Sequence, residues 1–332
     1  MAVTEQPKTF SDLYTMLQNA VRVTTAITAT ENQAKRAINV ALHDMHVGFD
    51  YRFPWAERSA ILRTQAQYTT GTLTATNGST TITGSGTAWN TNNDFTVKNM
   101  RAGGKIRIGG SRTPYTIDSV SGDTTAVLTT AFVETTATDT TYVYFEDEYA
   151  LASDFLRPVD AQRFSDEMSI DIIGRTEFRR RYPANSMPQS RPAVATIIDA
   201  PPSGSVTPVR RVRLAPPPST NVLIPYTYIT SNLAVSSLGV AQANLSADAD
   251  EPIVPLRYRH ALFYHGLYGW YRDKKDDARA DAAKGEYTDL MLRIAGDAEV
   301  GAVRPQIRPR MSEYRRSANR PWGGGFLGGY RE

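Results

Sequence analysis

The sequence contains no cysteine. That excludes disulfides, a cysteine nucleophile and any zinc site built on cysteine. No run approaches the ~18 consecutive apolar residues that span a bilayer, so no contact with a membrane is expected. The start, MAVTEQPKTFSDLY, is polar and acidic and lacks the basic and apolar regions of a secretory signal. The expectation is a chain made and folded in a cytoplasm. Net charge is also scarce, at +3 over 332 residues, too little to mark the whole chain as a nucleic-acid binder. Four glycine-containing runs (GSGTAW, GGKIRIGG, SGDTT, GGGFLGG) match neither a phosphate loop nor a dinucleotide fingerprint, and there is no GxSxG elbow. No cofactor, nucleotide or catalytic triad is expected.

What charge there is collects at one end. From Gly301 to Glu332 seven arginines face two glutamates, a local charge of +5, so the remainder sums to −2. The length suggests two domains, and seventeen tyrosines with the apolar residues are enough to build their cores.

The stretch 71–89, GTLTATNGSTTITGSGTAW, runs without a charge and is mostly Thr, Ser and Gly. A linker, a sugar-binding patch and a β-hairpin all fit that composition. Asn77-Gly78 is a strong hairpin signal, and the threonines on both sides favour an extended chain. Alternating segments continue through GGKIRIGG, TPYTIDSV, TTAVLTTAF and TTYVYFEDEY, with Ile82, Ile106, Ile108, Tyr115, Ile117, Val120, Val127, Leu128, Val143 and Phe145 as the periodic apolar set. About six strands are expected, forming a small all-β barrel or sandwich inserted at 71–146.

On either side the pattern is helical. Leu13, Met16, Leu17, Ala20 and Val21 repeat at helical spacing after Ser11, taken as the N-cap. Ala34, Ile38, Ala41, Leu42 and Met45 share a face of a second helix that stops near Gly48, and Trp55 reads as a packing anchor. Strands are expected over 58–68, 193–199, 209–214 and 222–230, a short helix in IGRTEFRRRY, and loop over 231–252. Two further helices follow. The first carries Leu256, Ala261, Leu262, Tyr264, Leu267 and Tyr271; the second carries Ala278, Ala282, Tyr287, Leu290, Met291 and Ile294, with Asp276 or Asp277 as cap. The expected fold class is α+β: a discontinuous helical domain with a small β part (1–70 and 147–298), the inserted β module (71–146) and a C-terminal arm (299–332).

Few residues invite chemistry. His43 and His46 stand at i and i+3, a spacing that can hold a metal, but no second ligand pair accompanies them; they read as exposed helix histidines and no metal site is expected. His260 and His265, five apart, read as structural. Glu146 and Glu148 on one strand face, with Asp147 opposite and Asp154 nearby, have the residue types of a glycosidase pair, which would make the chain a cell-wall hydrolase, or of an ordinary domain junction. Trp89 and Tyr115 suit either stacking on host-surface glycans, which would make the module a host-binding tail component, or the module's core. The tail interleaves Arg304, Arg308, Arg310, Arg315, Arg316, Arg320 and Arg331 with Tyr314, Trp322, Phe326 and Tyr330. Two readings compete, a solvated disordered end and an arm that orders in an acidic groove of a partner. Arg and aromatics are preferred interface anchors and favour the arm. The same chemistry suits single-stranded nucleic acid, for which the rest of the chain offers no basic platform. Tyr258, Tyr264, Tyr268, Trp270 and Tyr271 form an aromatic surplus on one helix, a candidate subunit interface.

Three segments together carry a resemblance: ENQAKRAINVALHDMH leading to FPW and a strand, YALASDFLR after the β region, and ALFYHGLYGWYRDKKDDARADAAKGEYTDLMLRI. In their order the chain resembles the head-to-tail adaptor (connector) proteins of tailed bacteriophages, the group that includes podovirus tail tubular proteins. The inserted β module is similar to one in some of those chains. The likeness covers most of residues 10–298. It implies a non-enzymatic virion protein at the head-tail interface, in a homo-oligomeric ring of twelve beneath the portal. DNA would cross the ring's channel without sequence-specific binding. The tail would be the arm that docks on the portal protein, and the β module would meet nozzle or fibre proteins.

Overall fold

A computed structural model describes residues 6–22, 28–47, 53–93, 95–182, 190–199 and 209–301. It shows a mixed fold of helices and mostly antiparallel strands, divided into two compact units: residues 1–55 with 233–332, and residues 56–232. The small β part therefore groups with the inserted module and not with the helices.

The first unit is helical. Helix α1 (Phe10–Ala20) begins at a capping box in which the Thr9 hydroxyl accepts from the Asp12 N–H at 3.3 Å and Asp12 accepts from the Thr9 N–H at 2.8 Å. The cap is thus Thr9 and not Ser11, because Asp12 stands three residues after Thr9. The N–H groups of Phe10 and Ser11 bond the carbonyls of Asp250 and Asp248. Helix α2 (Thr28–Val47) buries Ala34, Ile38, Ala41, Leu42 and Met45 as its periodicity requires, and His46 beside them.

The second unit is almost entirely β. Strand β1 (Glu57–Arg63) precedes the module, whose strands are β2 (Thr72–Ala75), β3 (Thr81–Ser85), β4 (Lys105–Ile108), β5 (Tyr115–Val120), β6 (Thr125–Leu128), β7 (Ala137–Thr140) and β8 (Tyr142–Phe145). They form one curled, half-barrel sheet in the order β7-β2-β3-β6-β5-β4-β8. Asn77-Gly78 is the turn between β2 and β3, with Gly78 at φ +79°, where glycine avoids a steric penalty. The concave face holds its own core, including Leu73, Ile82, Trp89, Ile106, Tyr115, Leu128 and Tyr144.

After the module come β9 (Glu148–Ala150), β10 (Phe155–Pro158), β11 (Arg163–Ser165), β12 (Ile170–Ile172), helix α3 (Arg175–Arg181), β13 (Val194–Asp199), β14 (Arg210–Ala215) and β15 (Leu223–Thr230). They make two sheets, β1-β15-β10 and β11-β12-β13-β14-β9, in which β12 and β13 run parallel. A second core lies between them, with Leu62, Tyr149, Phe164, Val212, Ile224 and Tyr226.

The chain then returns to the helical unit. Segment 231–252, expected as loop, holds three two-residue strands, β16 (Ala234–Val235), β17 (Ala241–Gln242) and β18 (Glu251–Pro252). They are tied by Asp250, which accepts from Gln242, Ser246 and Ala247. Helix α4 (His260–Asp273) passes α1 and α2 at Gly266, where a methyl group would lie 2.9 Å from Leu17 and 3.1 Å from Ile38. Asp276 accepts from the Arg279 N–H at 3.3 Å and caps helix α5 (Asp277–Gly301).

Candidate functional site: a charged junction and its cleft

Where the half-barrel meets the sheet β11-β12-β13-β14-β9, the chain passes through Glu146-Asp147-Glu148. Glu146 is 4% exposed and Asp147 is 2% exposed. Buried carboxylates must be matched by charge and hydrogen bonds, and both are. Arg101 grips Glu146 through two nitrogens, with Nε to Oε1 at 2.9 Å, and the Tyr144 hydroxyl donates to the same Oε1. Lys105 Nζ lies 2.7 Å from Asp147 Oδ1, and Arg213 Nε lies 2.8 Å from Asp147 Oδ2. Glu148 reaches the same two cations at 3.4 Å and 3.8 Å. Burial, with the Glu146 carboxylate beside it, pushes the Tyr144 hydroxyl well above its usual pKa, and Tyr149 follows for the same two reasons.

Two strands set this geometry. Residues 211 and 213 of β14 project to one face while Val212 enters the core. Lys105 opens β4 opposite Phe145 of β8, which brings it to the following acidic residues. Beside the cluster lies a cleft of about 380 Å³, lined by Ile61, Leu62 and Val97, by Arg63, Arg101 and Arg211, and by the carboxylates Glu146 and Glu148 with Tyr149.

Sequence reasoning singled out the acidic residues of this place but not the basic ones. Arg101, Lys105, Arg211 and Arg213 come from strands and turns far from 146–148 in the chain, and only the pairing of β4 with β8 and of β14 with β9 collects them. The carboxylates of the glycosidase reading are held by cations and hydroxyls. Both oxygens of Glu146 serve Arg101 and Tyr144. Asp154 accepts from Tyr228 and Thr230 at 2.7 Å each, away from the cluster. The aromatics of the sugar-stacking reading are likewise engaged within the chain. Trp89 is 0% exposed and bonds Tyr142 through Nε1 at 2.8 Å, and Tyr115 is buried in the same core.

Of the two histidines read as exposed on α2, His46 is not, because it lies on the helix face that is buried with Leu42 and Met45. His46 is buried, with Nδ1 on the Leu42 carbonyl, while His43 bonds Asn244. Among the described residues no group of three or more His, Asp or Glu side chains is placed to hold a metal. Of the aromatic surplus, Tyr258 and Trp270 are buried in the chain itself, Tyr258 bonding Asp297. Tyr264, Tyr268 and Tyr271 are half-buried. The arm residues Arg304, Arg308, Arg310, Tyr314, Arg315, Arg316, Arg320, Trp322, Phe326, Tyr330 and Arg331 lie outside the described residues. No helix among the described residues is long and apolar enough to cross a membrane. No family model and no curated protein matches the chain.

Proposed function

We propose that this chain is a structural virion protein, a ring subunit that joins the portal of a tailed phage to its tail. The supporting observation is the organisation of the helical unit. Helices α1 and α2 and helices α4 and α5, more than two hundred residues apart in the chain, belong to one compact unit. Its last helix, of 25 residues, runs up to the arginine-rich segment. In this reading the four helices form the bundle that packs against neighbouring copies. Val40, Val47 and Leu292, large apolar residues exposed on α2 and α5, are candidate lateral contacts, and so are the half-buried Tyr264, Tyr268 and Tyr271 of α4. The segment beyond Glu299 is the arm on the portal, the half-barrel module meets nozzle or fibre proteins, and DNA passes through the channel. Weak contacts from each arm would add through avidity.

Light scattering after size exclusion tests this reading. The full chain, alone and mixed with the portal of its own virus, is compared with a chain cut after Glu299. The expected result is a ring-sized complex that forms with portal and is lost on truncation. A full chain that ignores the portal ends the proposal.

A further inference from the structure

The charges at the junction do not balance among themselves. Arg101 is matched by Glu146, and Lys105 and Arg213 are matched by Asp147 and Glu148. Arg63 and Arg211 are left over. Among the described residues neither has a carboxylate within ion-pair distance. Arg63 donates only to the Phe95 carbonyl and the Thr96 hydroxyl, each at 3.2 Å. Arg211 donates Nη2 to the main-chain carbonyl of Glu148 at 3.3 Å, while its Nε is buried and has no acceptor.

Both surplus arginines line the same cleft. The guanidinium of Arg211 lies against Gly103, where φ is +85° and a side chain would begin 3.2 Å from Nη2. The turn 101–104 therefore leaves that nitrogen fork its room. Ile61, Leu62 and Val97 give the cleft an apolar wall. Glu146 and Glu148 also line the cleft, but Glu146 is engaged by Arg101 and Glu148 faces Lys105 and Arg213, so two cations without a carboxylate partner and an apolar wall are left to suit one chemical class. Guanidinium forks match the paired oxygens of carboxylate and phosphate. We propose that the cleft is a binding site for an oxyanion, a carboxylate or phosphate group, favoured when it is carried on a short apolar stem. Arg211 and Arg63 hold the charge, and Ile61, Leu62 and Val97 cover the stem. The site stands on the second unit alone, whatever the chain assembles with.

Calorimetric titration of the full chain at low ionic strength, with glutarate and with inorganic phosphate, tests the site. Binding in the millimolar range or tighter is expected, weakened at least tenfold by Arg211→Met and by Arg63→Met. Arg293→Met, exposed on α5, should leave it unchanged. Equal affinity for the two probes supports a site for free small oxyanions. Preference for glutarate supports one for a stem-borne carboxylate, such as an acidic side chain of a partner. Absence of heat with either probe at tens of millimolar, or binding undiminished in both variants, overturns the proposal. Should Arg211→Met fail to fold, Arg63→Met, at an exposed position, decides alone.

Discussion

Trp55 donates its indole N–H to Nε2 of His46 at 3.2 Å, and the other ring nitrogen of that histidine, Nδ1, meets the Leu42 carbonyl at 2.8 Å. A carbonyl only accepts and an indole only donates, so the two contacts fix one neutral tautomer, protonated at Nδ1. Burial, with a smaller contribution from His43, lowers the pKa of His46 to about 4 from 6.5. The unfolded chain takes up the proton first as pH falls. The stabilisation is therefore fully present above pH 6.5 and is lost as pH drops through about 4, a change of about 3 kcal/mol. Urea unfolding at neutral pH and near pH 4 measures it. In His46→Gln the acid-side slope should shrink, leaving what His260 and His265 contribute, since burial lowers both, and toward pH 4 the first part of what Asp12, Asp248 and Asp250 contribute, whose pKa values are lowered in the fold.

Gly104 is a place where no side chain fits. A methyl group there would lie 2.1 Å from the Tyr144 hydroxyl and 2.4 Å from its ring, and Tyr144 is 0% exposed with its hydroxyl committed to Glu146 and the Arg101 N–H. Overpacking a closed core costs about 1–3 kcal/mol, and here the ring also has to leave its hydrogen bonds. Gly104→Ala should lose about 3 kcal/mol in a denaturant titration. Gly110→Ala, also in the module and with open space around it, loses less, through its positive φ alone.

The acidic cluster yields a prediction that also judges the hydrolytic reading. Removing the charge of Glu146 leaves Arg101 partly buried without its partner. Breaking a buried pair costs about 3–5 kcal/mol, and the Arg101 side chain is 35% exposed, so the low end applies. Glu146→Gln should destabilise by about 3 kcal/mol, read by chemical unfolding, with peptidoglycan release the same as for the unaltered chain. A stable variant that has lost a lytic activity would reverse the assignment.

Much of the fold was legible where a local signal had length. The face of α2 is the one its 3.6-residue period draws, and the Asn77-Gly78 hairpin lies where its turn chemistry puts it. The expected strands 193–199, 209–214 and 222–230 are found one residue later or less at each end. Parity was harder. Val127 and Val143 are half-buried while Ala126, Leu128, Tyr142 and Tyr144 point inward, because both faces of those strands carry apolar residues and period two alone does not choose between them. On α4 the buried set is Ala261, Leu262, Phe263, Gly266 and Trp270, not the face through Tyr264, Leu267 and Tyr271. The reason is Gly266, which allows a close helix approach that hydrophobicity does not record. Strands β9 to β12 are three or four residues long, too short for a period, and the parallel pairing of β12 with β13 has no local signature. The cleft was invisible for a related reason: Arg63, Arg101 and Arg211 have no spacing in common and are joined only by the sheets.

Trp89 carries the last prediction. Its ring is fully buried in the concave face of the half-barrel, edge-on to Tyr142 at 5.9 Å between centroids, with its N–H on the Tyr142 hydroxyl, which in turn donates to the Thr70 carbonyl. Replacing it by Phe removes one buried donor and leaves a void beside Tyr142, together about 2 kcal/mol. A surface aromatic that stacks on sugar would behave oppositely: its loss leaves stability intact and abolishes glycan capture. Thermal unfolding of Trp89→Phe and a glycan array probed with the full chain therefore separate the two roles. The expected pair of results is a lowered melting temperature and an array signal that does not depend on residue 89. Unchanged melting together with a lost array signal would put Trp89 on a binding surface and return the module to a role in host recognition.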